Sequence, residues 1–275
     1  VGGLAWLDHR DARHQLLGSL QTTVEQDARV IELRLQTWLR TLGDDARSVS
    51  RSPAVKGFIA TRETPEEPRW RDLVEDAFRA IFRGKVSYIQ MRILQVGGPG
   101  EGREILRLDR LGRNLVVTPH GKLQEKGGRN YFREALSLPE GELYFSEISL
   151  NRDFGEISVP RLPTIRVAVK IGSLPDQQVM LIINVDLRFL FAELQDLVSP
   201  GSEIYLSDQK RDFLMHPDAA ATFASDLGHE HRARREEVAG ELSGVRVVSE
   251  GQWPRLNLVA KVALPDAAWR PQVEQ

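Results

Sequence analysis

The chain has 275 residues, 41% of them hydrophobic and 28% charged, with a formal net charge of −2. That length suits two modest domains, and the composition excludes a fibre or a disordered chain. The interspersed charges offer no basic footprint for nucleic acid, and the lack of cysteine excludes disulfides, thiolate nucleophiles and Cys-ligated metals.

Residues 8–51 contain no proline and only two glycines, Gly18 and Gly43. Leu16, Leu20, Val24, Ile31, Leu35, Trp38, Leu42, Ala46 and Val49 recur at helical spacing, which predicts one long amphipathic helix. About 44 residues at ~1.5 Å each reach ~66 Å, longer than a small domain is wide. Such a helix runs along two domains or pairs with a second copy, with Leu20, Ile31 and Trp38 as contact residues. Ser52-Pro53 ends it, because the residue before proline disfavours the α region.

A loop over Glu63–Pro68 precedes a second helix at Trp70–Phe82, closed by Gly84. From Val86 the period changes to two. Val86–Leu94 reads as a strand, Gly97–Gly102 as a hairpin connection, and Glu104–Val117 as a second strand broken at Gly112. A short helix is expected at Tyr131–Leu138. Three more strands follow at Leu143–Leu150, Thr164–Ile171 and Val179–Leu187; the last is almost wholly apolar and therefore central. After a helix at Phe189–Leu197, a smaller sheet is expected from Glu203–Leu206, Asp212–His216, Val245–Val248 and Leu256–Val262, divided by a loop and helix over residues 217–241. His216-Pro217-Asp218 reads as a turn, and the mixed charges of His229–Glu237 as a solvated helix face.

No familiar catalytic constellation is present. HExxH, GxSxG and GxxxxGK[ST] are all missing, and His229 and His231 are two apart, on different faces of a helix. The glycines of 97–102 lie between strands, without the helix N-terminus that holds phosphate. Glu142, Glu147, Asp153 and Glu156 could do acid–base work as a pair, but on a half-exposed strand and loop they read as surface. No cofactor, metal or catalytic residue is expected. The chain also lacks an apolar run of the ~18 residues that span a membrane. Its first and last residues look cut from something longer.

One neighbourhood stands out. Arg129-Asn130-Tyr131-Phe132 leads into Leu143–Asn151, bringing a cation, aromatic rings and amides together around a helix and a strand. Ligand pockets combine apolar walls with a few placed polar groups, and arginine clamps a carboxylate with two parallel hydrogen bonds. The same residues also suit a plain helix start over a core.

Gly127–Ala135, Leu143–Asn151, Pro163–Val169, Val179–Leu187 and Asp208–Asp218, in this order and spacing, resemble the double Cache (tandem PAS-like) sensor domains of bacterial receptors. The resemblance covers almost the whole chain. It implies an α+β fold, with a long N-terminal helix over residues 1–52 and two stacked PAS-like domains. The membrane-distal domain (53–199) would hold the ligand. The membrane-proximal domain (200–265) would precede a tail (266–275) leading to a transmembrane segment. It implies a periplasmic, membrane-tethered sensor, homodimeric through the first helix, in front of a histidine kinase or diguanylate cyclase module. The site residues it implies are Arg129, Tyr131, Phe132, Tyr144, Ser149, Asn151 and Asn184.

The chain departs from amino-acid-binding members. Their tyrosine five residues before the arginine is Gln124 here, and their two ammonium-binding acids align with Asn151 and Asn184. An amide offers a dipole where an α-ammonium group needs a charge, so the expected ligand is another carboxylate or anion, held by Arg129 and Lys122 and enclosed by Tyr131, Phe132 and Tyr144. Two other readings compete with the sensor: a dimerisation or assembly ectodomain without a small ligand, and a hydrolase using Glu147.

Overall fold

The computed structural model describes residues 2–153, 155–172, 178–228, 242–248, 256, 258–265 and 268–269. The fold is α+β with antiparallel sheets, and it opens on helix α1 (Gly2–Ser50). The chain forms two compact units, one of residues 39–188 and one of residues 1–38 with 189–275.

In the first unit, α1 stops where expected, but the proline that stops it also starts a helix. Ser52 accepts a hydrogen bond at Oγ from the Val55 amide (3.3 Å), and Pro53 occupies the first turn of α2 (Pro53–Ala60). This pairing of a serine cap and an N-terminal proline is a helix-start signal. Helix α3 (Glu67–Gly84) follows. The sheet then builds from β1 (Tyr88–Gln95), β2 (Glu104–Leu111), β3 (Asn114–Val117), α4 (Asn130–Leu136), β4 (Leu143–Phe145) and β5 (Ser149–Leu150). A two-stranded ribbon of β6 (Arg152–Asp153) and β7 (Glu156–Ile157) precedes β8 (Pro163–Ile171) and β9 (Val179–Asp186). The order is β3-β2-β1-β9-β8-β4, with β5 also on β8. Two sequence expectations change here. Glu104–Val117 is a hairpin of two strands, because Gly112 adopts φ 62° and turns the chain back so that Leu111 pairs with Asn114. Leu143–Leu150 is two short strands on β8 rather than one.

Strand β9 is buried at every position and lies inside the sheet, as its apolar run demanded. Alternation sorts its side chains. Leu181, Ile183 and Val185 share the face of Met91, Ile93, Val167 and Val169. Near the sheet edge Gly43 of α1 approaches so closely that a Cβ there would meet Leu143 Cδ1 at 2.7 Å. Asp45 accepts from the Tyr88 hydroxyl (2.5 Å) and pairs with Lys85 Nζ (2.9 Å), tying the helix to the start of β1. The opposite face carries Leu94, Met180, Ile182, Ala168 and Tyr144, which cluster with Phe132 and Ala135 of α4.

The second unit holds a four-stranded sheet in the order β11-β10-β13-β12, built from β10 (Glu203–Ser207), β11 (Phe213–Met215), β12 (Leu242–Val248) and β13 (Leu258–Leu264). Helix α5 (Arg188–Leu197) precedes it. The early part of α1 is fixed against this unit. Asp27 accepts from the Ser199 amide (2.9 Å), Arg34 pairs with Glu193 (2.6 Å), and Gln21 donates to the Ser243 carbonyl (3.0 Å). Gly244 passes so near the helix that a Cβ would meet the Val24 carbonyl at 2.5 Å. His216 forms the expected turn, its Nδ1 accepting from the Asp218 amide (2.9 Å). A short helix, α6 (Ala224–Leu227), lies in the 217–241 stretch. The charged run 229–237 and most of the 266–275 tail fall outside the described residues.

Candidate ligand-binding site

The face of the seven-stranded sheet that meets α4 is apolar at one end and polar at the other, and register explains the division. One cross-strand row runs Arg107, Arg92, Ile182, Ala168, Tyr144. The next row runs Asp109, Gln90, Asn184, Arg166. Two rows thus place three arginines among side chains that strand alternation sends to one face.

These groups are joined by hydrogen bonds. Gln90 Nε2 donates to Asp109 Oδ1 (2.7 Å), and Asn184 Nδ2 donates to Gln90 Oε1 (3.2 Å). Arg92 Nη2 donates to Asn184 Oδ1 (3.0 Å), while its Nη1 meets Glu104 Oε1 (3.0 Å). Arg92 is 3% exposed and Glu104 1%, so this is a buried ion pair. Such a pair must be closely hydrogen-bonded to offset desolvation. Glu104 meets that demand with a second oxygen that accepts from the Gln124 amide (3.0 Å) and lies 3.7 Å from Arg107. Arg107 in turn pairs with Asp109 at 2.8 Å. The Nε of Arg92 is buried with no acceptor among the described residues.

The loop before α4 adds two cations. It is held against the start of β2 by a close glycine contact: Gly102 adopts φ +84°, and a Cβ on it would meet Gly127 Cα at 2.3 Å. The Lys126 amide donates to the Gly102 carbonyl (2.8 Å), and Lys126 Nζ donates to Gln124 Oε1. Burial, with Arg92, Arg129 and Arg107 nearby, pulls the Lys126 pKa down to about 8 against the opposing pull of Glu104. Arg129 occupies the cap position of α4 and accepts at its carbonyl from the Phe132 amide (3.1 Å). Its guanidinium makes no ion pair or hydrogen bond among the described residues.

Tyr131 lies within cation–π distance of two of the arginines. Its ring centroid is 5.8 Å from the Arg92 guanidinium carbon and 5.3 Å from that of Arg166. Cation–π attraction of this kind is worth ~0.5–2 kcal/mol, so the ring partly offsets the repulsion between the two arginines. Arg166 otherwise finds only Ser149 Oγ, at 3.4 Å, among the described residues. Desolvation, with Arg92 beside it, pulls the Arg166 pKa down to about 10.

The sequence-expected residues divide accordingly. Arg129, Tyr131, Ser149 and Asn184 gather around the Arg92–Arg166 pair. Tyr144 lies deeper, with its hydroxyl donating to Glu134 (2.9 Å), and Phe132 is in the core cluster at 1% exposure. Asn151 is spent on its own loop, donating to Ser158 Oγ (2.7 Å). Lys122 is exposed on a 3-10 turn, and buried Lys126 is the lysine beside the arginines. Sequence reasoning missed Arg92, Arg166, Glu104 and Gln90. The available signal was a single arginine inside each of two mainly apolar strands.

Chemically, the arrangement can hold an anion against an aromatic ring. Among the described residues no group of three or more His, Asp or Glu is placed to hold a metal. No helix among them is long and apolar enough to cross a membrane.

Comparison with known proteins agrees with this architecture. Residues 50–237 match the family model described as bacterial histidine kinase, sensor domain. Among solved structures, a domain assigned to a sensory box/GGDEF family protein of Vibrio parahaemolyticus superposes with a TM-score of 0.68 at 17% identity, over 96% of this chain and 99% of that one. The extracellular domain vpHK1S-Z8, assigned to a histidine kinase, gives 0.72 at 17% identity over 97% of each. The ligand-binding domain of the Pseudomonas aeruginosa amino acid chemoreceptor PctC, in complex with GABA, gives 0.56 at 13% identity over 90% of this chain and 100% of that one. A search of curated protein sequences finds no match.

Proposed function

Because the chain belongs to the bacterial histidine kinase sensor-domain family, we propose that it reads a small anionic ligand outside the cytoplasm, in the site beneath α4. The family is one of sensors rather than catalysts, and the chain is not itself an enzyme. The observation that carries the proposal is the Tyr131 ring flanked by Arg92 and Arg166, with Arg129 and Lys126 beside them and the nearest acids already engaged. A fold gains nothing from gathering desolvated cations, whereas a carboxylate entering the site would gain charge-assisted hydrogen bonds. The site residues we assign are Arg129, Tyr131, Arg92, Arg166, Ser149 and Asn184, with Phe132 and Tyr144 as the apolar floor and Asn151 at the margin.

The same proposal takes 53–199 as a membrane-distal domain, 200–265 as a membrane-proximal one, and the full protein as a membrane-tethered receptor with a kinase or diguanylate cyclase output. It places the homodimer contact on α1. Val30 and Leu33 support this, being 42% and 52% exposed on a helix whose Val24, Ala28, Ile31 and Leu35 stripe is buried within its own chain. Ile31 is therefore a core residue rather than an interface one. A ligand shifts the receptor only through its difference in affinity between two states.

The test is a thermal-shift screen of this chain against amino acids, organic acids, amines and purines, repeated on Arg129→Ala. A ligand that binds only the folded state raises Tm by mass action. The expected result is an organic acid that raises Tm in the wild type and not in the variant. Hits indifferent to Arg129 would place the ligand elsewhere.

A further inference from the structure

We propose that the ligand of this site is a small dianion, a dicarboxylate or a phosphomonoester, and that zwitterionic amino acids are rejected. The inference rests on the sensing role argued above and concerns the charge the site is built to receive.

Two cations of the cluster are matched by protein acids. Arg92 has Glu104 at 3.0 Å, and Arg107 has Asp109 at 2.8 Å. Both acids are fully engaged. Glu104 holds Arg92 with one oxygen and the Gln124 amide with the other, and Asp109 also accepts from Gln90 and from the Thr118 hydroxyl (2.7 Å). Arg166, Arg129 and Lys126 have no acid of their own among the described residues. Arg166 reaches Ser149 at 3.4 Å, Lys126 donates to the amide oxygen of Gln124, and the buried Nε of Arg92 is a further donor without an acceptor there. A single carboxylate would leave most of this charge uncompensated in a desolvated place, which is costly. Two negative charges match it more closely.

The same charge balance disfavours an ammonium group. A cation entering the site would need an acid, and the central polar row offers amides instead. Asn184 and Gln90 are tied to each other and to Arg92. Glu134 is on the exposed side of α4 and accepts from the Tyr144 hydroxyl. Bringing a further positive charge among Arg166, Arg129 and Lys126 adds repulsion at low dielectric.

The experiment is isothermal titration of this chain with a series that changes one charge at constant chain length: succinate, its monoamide succinamate, and 4-aminobutyrate, with glycerol 3-phosphate as the phosphomonoester. The wild type is compared with Arg129→Gln, whose half-buried side chain has no partner to lose among the described residues, and with Arg166→Gln. The expected result is a dianion bound at least tenfold more tightly than succinamate or 4-aminobutyrate, with the advantage reduced at least tenfold in both variants and neither variant melting lower than the wild type. Preference for succinate or for glycerol 3-phosphate decides between the two sources of charge. Equal or tighter binding of 4-aminobutyrate or succinamate, still lost in Arg129→Gln, would overturn the dianion and leave the site standing. Failure of all four to bind would overturn the dianion too, and the sensing site would then be judged by the broader screen against Arg129→Ala.

Discussion

Replacing Arg166 with methionine removes a desolvated cation while keeping much of the length of the side chain. Burial, aided by Arg92 and Arg129, lowers the Arg166 pKa from 12.5 to about 10. At ~1.4 kcal/mol per tenfold, that is about 3 kcal/mol against the charged form. Two favourable contacts are lost in the variant. The Tyr131 face is worth about 1 kcal/mol, and the 3.4 Å bond to Ser149 is long enough to count for little. The unliganded chain is therefore expected to gain about 1–2 kcal/mol, which raises Tm by roughly 2–8 °C at ~2–4 °C per kcal/mol. The sign follows from linkage. A basic group with a lowered folded pKa costs stability wherever it is protonated, so the gain persists through the neutral range and fades only as pH rises past about 10. Thermal unfolding followed by circular dichroism, without added anion, reads the effect. A variant that melts lower than wild type would refute the reasoning, because it would mean that the guanidinium holds the fold together rather than waiting for a ligand.

Three other outcomes follow from the same geometry. Lys126 has a pKa of about 8, lowered by burial and by Arg92, Arg129 and Arg107; the unfolded chain thus binds the extra proton above that value, and stability should rise with pH between about 8 and the ordinary lysine value of ~10.4. Anion affinity should move the opposite way, weakening by up to about tenfold per pH unit above 8 as the charge is lost, and Lys126→Met should abolish that dependence in a titration across pH. Glu104→Gln breaks a buried pair and leaves Arg92 uncompensated, with an expected loss of about 3–5 kcal/mol in denaturant unfolding; a loss under ~1 kcal/mol would show that Arg92 relaxes into solvent. Gly102→Val puts a branched side chain at φ +84° against Gly127, so it should shift the loop carrying Lys126 and Arg129 and weaken anion binding, read by titration, more than it lowers Tm.

Much of the fold was legible because the relevant signals were local. The repeat of apolar residues along α1 and the unbroken apolar run of β9 each have one physical solution. Where the reading failed, one residue carried two messages. Ser52-Pro53 stops a helix and starts another, so α2 went unread. Gly112 breaks a strand, and only pairing of Leu111 with Asn114 reveals a hairpin. The site was half legible for a related reason. Arg129 and Tyr131 stand together in sequence, so a cation beside a ring could be seen. Arg92 and Arg166 lie 74 positions apart, each the single arginine of a mainly apolar strand. Alternation gives their face of the sheet, but whether that face is solvent or pocket depends on where α4 folds back. Asn184, a site residue that the resemblance implies, also accepts at Oδ1 from Arg92, a link that only the pairing of β1 with β9 reveals.

The central claim is that the sheet face under α4 is an anion site, and the most direct test is a crystal structure of this chain with the tightest-binding anion from the titration series. The anion is expected beside the Tyr131 ring, with its oxygens within hydrogen-bond distance of Arg166 and of Arg129 or Lys126. An anion seated on the four-stranded sheet instead, with the Arg92–Arg166 cluster untouched, would contradict it.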